Sequence, residues 1–126
     1  MLDILLCTSN PSLKQALEHA CTGEPYRVKV CERGMEVLQA LSVLTVDLVM
    51  IDGGAPGCGS PFLLEAMQRI APGLPVLVLA TGALESDGDF RRYGLVPLAI
   101  SVEAPETLRG VIQQGVGSIV RQRDCE

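Results

Sequence analysis

Short apolar runs alternate along this chain with stretches whose apolar residues recur every three or four positions, the pattern of parallel strands separated by packed helices. Leu2 to Cys7 is the first apolar run. Asn10 and Pro11 follow as an N-cap and a proline at the first helical position, and Leu13, Ala16, Leu17, Ala20 and Cys21 keep helical spacing behind them. Tyr26, Val28 and Val30 then alternate with Arg27, Lys29 and Cys31, which predicts a strand with one wetter face, as at a sheet edge. Gly34 to Leu41 predicts a second helix. Val46 to Ile51 is almost wholly apolar, as a central strand buried on both faces requires, and it ends at Asp52.

The glycine-rich stretch from Gly53 to Gly59 predicts a loop, and Ser60-Pro61 predicts a second cap-and-proline start for a helix reaching about Ile70. Pro75 to Ala80 reads as a fourth strand and Leu98 to Ser101 as a weaker fifth. Between them, Leu84 to Tyr93 is a helical stretch interrupted by Ser86-Asp87-Gly88-Asp89, so a short or irregular helix is expected. The last helix starts near Pro105 and carries Leu108, Val111, Ile112, Val116 and Ile119 on one stripe. Gly110, Gly115 and Gly117 weaken that helix or let a neighbour approach closely. Five such units in this length predict a doubly wound α/β sheet, whose ligands bind where strands end. That singles out Thr8, Ser9, Asn10, Asp52, Gly53, Gly54, Ala80, Thr81, Ser101 and Val102.

Composition narrows the function more than the fold. At 126 residues the chain fits one domain, expected over 1–121, with 122–126 a polar tail or the start of a linker. A hydrophobic fraction of 48% with charged residues at 20% argues against disorder, and with two Tyr, two Phe and no Trp the core must be aliphatic. The net charge of −5 speaks against nucleic acid as a partner of this domain, because that affinity comes from Lys and Arg neutralising phosphates. No run reaches the length of a membrane span, and no basic region precedes the first apolar run. The five cysteines form no C-x-x-C pair and are odd in number, which fits a reducing cytoplasm better than a disulfide framework.

The stretch DLVMIDGGAPGCGSPFLLEAMQRIAPGLPVLVLAT, from Asp47 to Thr81, resembles the third strand, phosphoacceptor loop, third helix and fourth strand of response-regulator receiver domains. ILLCTSNPSLKQAL is similar to the first strand and helix of that family, and GLVPLAISVEAPETL to its fifth strand and last helix. The resemblance implies a flavodoxin-like, CheY-like (βα)5 fold with strand order 2-1-3-4-5. It places Asp52 on the phosphoacceptor and Pro56-Gly57 on the following Pro-Gly. The family also uses an acidic pair after the first strand, a hydroxyl after the fourth, a Lys after the fifth and an aromatic residue on the fifth. Here the acidic pair falls on Thr8 and Ser9, the Lys on Ser101, the Pro after it on Val102 and the aromatic position on Leu98. The hydroxyl position falls on Ala80, or on Thr81 if the strand end is bulged.

Neutral hydroxyls are poor ligands for Mg²⁺, and phosphoryl transfer relies on metal and cationic groups to offset charge on the moving oxygens. Mg²⁺ binding is therefore expected to be lost, no other cofactor is expected, and Asp52 is read as a structural carboxylate held by Thr8, Ser9 or backbone N–H groups. The expected role is a non-enzymatic pseudo-receiver in two-component signalling, working by protein–protein contact. By the resemblance, the face of the fourth helix, fifth strand and last helix would serve a homodimer or a protein partner, through Phe90, Arg91, Tyr93, Leu98, Arg109, Gln113 and Gly117. For Phe90 and Tyr93 the alternative is local packing under a weak helix. Two other functions stay open: a working phosphoacceptor with a rearranged pocket around Asp52, and a flavodoxin-like small-ligand binder.

The remaining chemistry is thin. Gly57-Cys58-Gly59 begins like a dinucleotide fingerprint, but Phe62 stands at the third glycine, and a tight turn is the simpler reading. A bound anion at the Ser60 helix start is the lesser alternative. Cys58 is expected to be exposed on its loop. His19 is the only histidine, expected at the surface of the first helix, so it cannot build a metal cluster.

Overall fold

The computed structural model of the chain describes residues 2–55, 57–58, 60–80, 87–93, 95, 98–100 and 105–124. Five strands, β1 (Leu2–Cys7), β2 (Tyr26–Cys31), β3 (Leu48–Asp52), β4 (Val76–Ala80) and β5 (Leu98–Ala99), alternate with α1 (Pro11–Ala20), α2 (Gly34–Val43), α3 (Pro61–Ile70), α4 (Asp87–Arg92) and α5 (Pro105–Asp124). They form one parallel sheet in the order β2-β1-β3-β4-β5. The chain therefore reverses direction of winding between β1 and β3, and the strand ends flanking that switch point lie side by side.

Side-chain alternation along the strands sorts the core into two layers. Ile4 and Leu6 of β1 and Leu48 and Met50 of β3 face Leu13 and Leu17 of α1 and Leu108 and Ile112 of α5. Leu5 and Cys7, with Val49 and Ile51, face Val37 of α2 and Leu63 and Met67 of α3. Every residue of β3 is buried, as its apolar run requires, although the strand begins at Leu48 rather than Val46 and takes in Asp52. β2 is at the sheet edge and alternates between partly buried and exposed positions as far as Val30, whereas Cys31, expected on the wetter face, is buried.

The helix starts differ in their local chemistry, and α2, behind Arg33, begins with no side-chain cap. The Asn10 side chain accepts hydrogen bonds from the Ser12 and Leu13 amides, so it caps α1 in front of Pro11. Ser60 has the extended backbone of a cap ahead of Pro61, but its side chain makes no capping bond, and the proline supplies the start signal alone. α4 is six residues long, in line with its broken pattern; residues 84–86 lie outside the described set. α5 continues to Asp124, past residue 121 where the polar end was set off. The side chain of Ile119 is outside the described set.

Two glycines are places of close approach. A Cβ on Gly34 would stand 2.7 Å from the Gly57 carbonyl oxygen and 2.8 Å from Leu63 Cδ2, so α2 begins directly against the β3–α3 loop. A Cβ on Gly115 would meet Leu77 Cδ1 at 2.7 Å, whereas Gly110 and Gly117 face open space. Only Gly115 of the three thus serves packing, bringing α5 down onto β4. Backbone cannot yield as a leucine tip can. Gly34→Ala is therefore expected to cost about 1–3 kcal/mol in urea unfolding. Gly115→Ala should cost less, since Leu77 can shift and alanine favours the helix; equal losses would contradict this placement of the loop.

Candidate functional site

β3 carries Asp52 to the carboxyl end of the sheet, where only 6% of the residue remains exposed. A carboxylate so placed must find donors, because leaving it unpaired away from water is costly. Thr8, the first residue after β1 and itself buried, donates its hydroxyl to Asp52 Oδ2 at 2.8 Å. The Gly54 amide, two residues beyond Asp52, donates to Oδ1 at 3.1 Å. The Thr8 oxygen in turn accepts from the Asn10 amide at 3.1 Å, linking the carboxylate to the start of α1. Both carboxylate oxygens are thus held by groups from the two strands that flank the switch point.

Of the residues singled out from the sequence, Thr8, Gly54 and Asp52 are brought together. Ser9 follows Thr8 but is exposed. Ala80 ends β4, is buried, and accepts a hydrogen bond from the Ile100 amide through its carbonyl at 2.9 Å. Thr81, Ser101 and Val102 lie outside the described residues. Among the described residues, neither ion pair, Arg27–Asp3 or Arg69–Glu65, involves Asp52. No group of three or more His, Cys, Asp or Glu side chains there is arranged to hold a metal ion. Two cavities of about 260 and 280 Å³ are lined by Val76 and Leu74, and by Asp3 and Val46, at the opposite end of the sheet from Asp52.

The expected exposure of Cys58 is corrected. Gly57, at φ 77°, turns the chain inward, and Cys58 is fully buried in the layer under α2 and α3. Its sulfur lies 3.2 Å from that of Cys7, the residue before Thr8. Cys31 is paired with Cys7 in register at the end of β2 and is also buried. A hydrogen bond from Cys31 favours the Cys7 thiolate, but the bond to Cys58, burial and the Glu36 charge outweigh it and push Cys7 up to about 12. The Cys31 thiol is pushed up further, by its hydrogen bond to Cys7 and by burial. Sequence inspection missed this cluster. The available signal was that Cys7 and Cys31 both close strands that must lie side by side.

The proposed docking face is also revised. Phe90 is fully buried against Leu64 and Val78, with Tyr93 and Leu95 partly buried beside it, so the ring anchors α4 to α3 and is not a surface contact. Arg91, Arg109 and Gln113 are exposed, and Leu98 and Gly117 are partly buried. His19 is exposed on α1, as its lone position suggested.

Comparison with known proteins agrees with this architecture. The signal receiver domain of an HD domain-containing protein from Pseudomonas fluorescens Pf-5 superposes with a TM-score of 0.79 at 21% identity, covering 98% of this chain and 92% of that one. The chemotaxis response regulator CheY4 of Vibrio cholerae gives a TM-score of 0.74 at 24% identity, over 91% and 98%. In sequence, the transcriptional regulatory protein GlrR of Escherichia coli (strain K12) is 34% identical over 76 residues, which is 60% of this chain but only 17% of that protein. No family model matches the chain. The structural neighbours show the CheY-like fold of receiver domains, and the regulatory proteins similar in sequence match this chain over part of its length while it spans under a third of theirs.

The Thr8 hydroxyl has two partners, and both are lost in Thr8→Val. That substitution is expected to cost about 1–3 kcal/mol in urea unfolding. A variant as stable as the parent would mean that Asp52 is satisfied without Thr8.

Proposed function

We propose that this domain is a pseudo-receiver that signals through protein contact without phosphorylation of Asp52. The observation that carries the reading is the state of the carboxylate: Oδ2 is taken by the Thr8 hydroxyl and Oδ1 by the Gly54 amide. Mg²⁺ demands oxygen ligands in near-octahedral geometry and is usually bound through one or two carboxylates with substrate oxygens and water. Among the described residues the donors to Asp52 are one hydroxyl and one amide hydrogen, and Ser9, the next residue after Thr8, is exposed. An amide N–H repels a cation, so this donor set does not suit the metal.

The consequence for chemistry is direct. Phosphoryl transfer needs positive charge to meet the moving oxygens. Serine occupies the position that the receiver resemblance gives to lysine, so a phosphorylated Asp52 would gain no cation from residue 101. The carboxylate serves the fold instead, tying the ends of β1 and β3 to the α1 cap.

Partner contact is assigned to the face of α4, β5 and α5, through Arg91, Tyr93, Leu98, Arg109, Gln113 and Gly117, in a homodimer or with another protein. Arginine suits such a face because its guanidinium combines apolar area with directed hydrogen bonds. Among the described residues no helix is long and apolar enough to cross a membrane. The curated relatives' activities as transcriptional regulators belong to proteins of which this chain spans under a third.

Incubation with an acyl phosphate and Mg²⁺, read by mass spectrometry, is expected to leave Asp52 unmodified; an acid-labile phosphoryl group lost in Asp52→Asn would show a working phosphoacceptor. Arg91→Glu combined with Arg109→Glu should weaken self-association at least tenfold in sedimentation velocity, or partner capture to the same extent. Unchanged association and capture would remove this face from the account.

A further inference from the structure

Three cysteines far apart in sequence meet beneath the β3–α3 loop. Cys7 is fixed, since β1 is paired to β2 on one side and to β3 on the other. Cys58 is on the loop, between the turn at Gly57 and the start of α3. Their sulfurs are 3.2 Å apart, in a layer that is otherwise aliphatic. A disulfide needs about 2.05 Å between sulfurs, so closing the bond takes a movement on the order of 1 Å. Because β1 is held by strand pairing on both sides, that adjustment falls to the Cys58 side.

We infer that Cys7 and Cys58 are an oxidisable thiol pair, a disulfide-forming modification site that fastens the β3–α3 loop to the end of β1. The oxidant class is a hydroperoxide, with hydrogen peroxide its simplest member. One sulfur, as thiolate, attacks a peroxide oxygen; the O–O bond breaks, leaving a sulfenic acid, and the departing hydroxide takes up a proton to become water. The second thiol then attacks the sulfenic sulfur, the S–S bond forms, and the hydroxyl leaves with the remaining thiol proton as a second water. The pair gives up two electrons and two protons, and the peroxide is reduced to two waters.

Burial and the hydrogen bond to Cys58 favour the protonated thiol of Cys7, so attack by that sulfur is slow at neutral pH and the pair registers sustained exposure to oxidant. The position gives the bond a consequence. Cys7 directly precedes Thr8, whose hydroxyl holds Asp52, and Cys58 is in the loop that follows Asp52. A disulfide would lock the two ends of the segment that positions the carboxylate. This inference stands whether or not Asp52 accepts a phosphoryl group.

The test treats the full chain with hydrogen peroxide, blocks remaining thiols after unfolding, and maps the peptides without reductant. The expected product is about 2 Da lighter and contains a Cys7–Cys58 linked peptide. Its melting midpoint should rise by about 10 °C and return on adding dithiothreitol, because the bond closes a long loop. Cys58→Ala should abolish the link and Cys31→Ala should retain it. Wild-type protein in which Cys58 stays a thiol or goes on to sulfinic acid, or in which Cys7 is joined to Cys31, overturns the assignment, and that reading does not depend on any variant folding.

Discussion

A carboxylate at the end of a strand buried on both faces has to be answered by donors from its own neighbourhood, because water reaches it poorly and an unpaired charge there would cost more than the domain can spare. Asp52 is answered by Thr8 from the adjacent strand end and by the Gly54 amide from its own loop. Those two bonds set much of what surrounds them. They draw the start of α1 in through the Asn10 amide, and they fix the first turn of the loop that then runs in under α2. Gly34 must be a glycine for that loop to pass, and Cys58 is carried inward by it.

The same constraint separates architecture from chemistry. A receiver-type sheet brings an aspartate to the switch point through packing alone, from apolar strands and short connections. Whether that aspartate reacts depends on the groups that meet it, and among the described residues Asp52 meets neutral hydrogen-bond donors. A fold shared with phosphoacceptor domains therefore does not carry their activity with it. On the function proposed above, the carboxylate is part of the scaffold and any signal passes through the outer faces of the helices.

Much of this was legible in the chain. The period-two and helical patterns located each strand and helix to within a few residues, Asn10-Pro11 marked the start of α1, and the apolar run ending at Asp52 identified the central strand. The resemblance to receivers supplied the strand order that the sheet adopts. Two features escaped, and a third stayed open. Cys58 reads as a loop residue, and only the positive φ at Gly57 turns it into the core. For Phe90 the sequence leaves an interface role and local packing both open, and the structure decides for packing, since a six-residue helix has little else to hold it. The cap expected of Ser60 is not made, although Asn10 does cap α1 ahead of the same kind of proline. The burial of Cys58 and of Phe90 depends on long-range contacts, which local pattern does not encode.

The central claim is that the pocket around Asp52 no longer switches. Titration of the labelled protein with beryllofluoride and Mg²⁺, the mimic of an aspartyl phosphate, followed by amide NMR, addresses it most directly. The account predicts that the amides of Thr8, Asp52 and Gly54, and of Thr81 and Ser101, stay where they are. Shifts at these positions that disappear in Asp52→Asn would show a responsive pocket and contradict it.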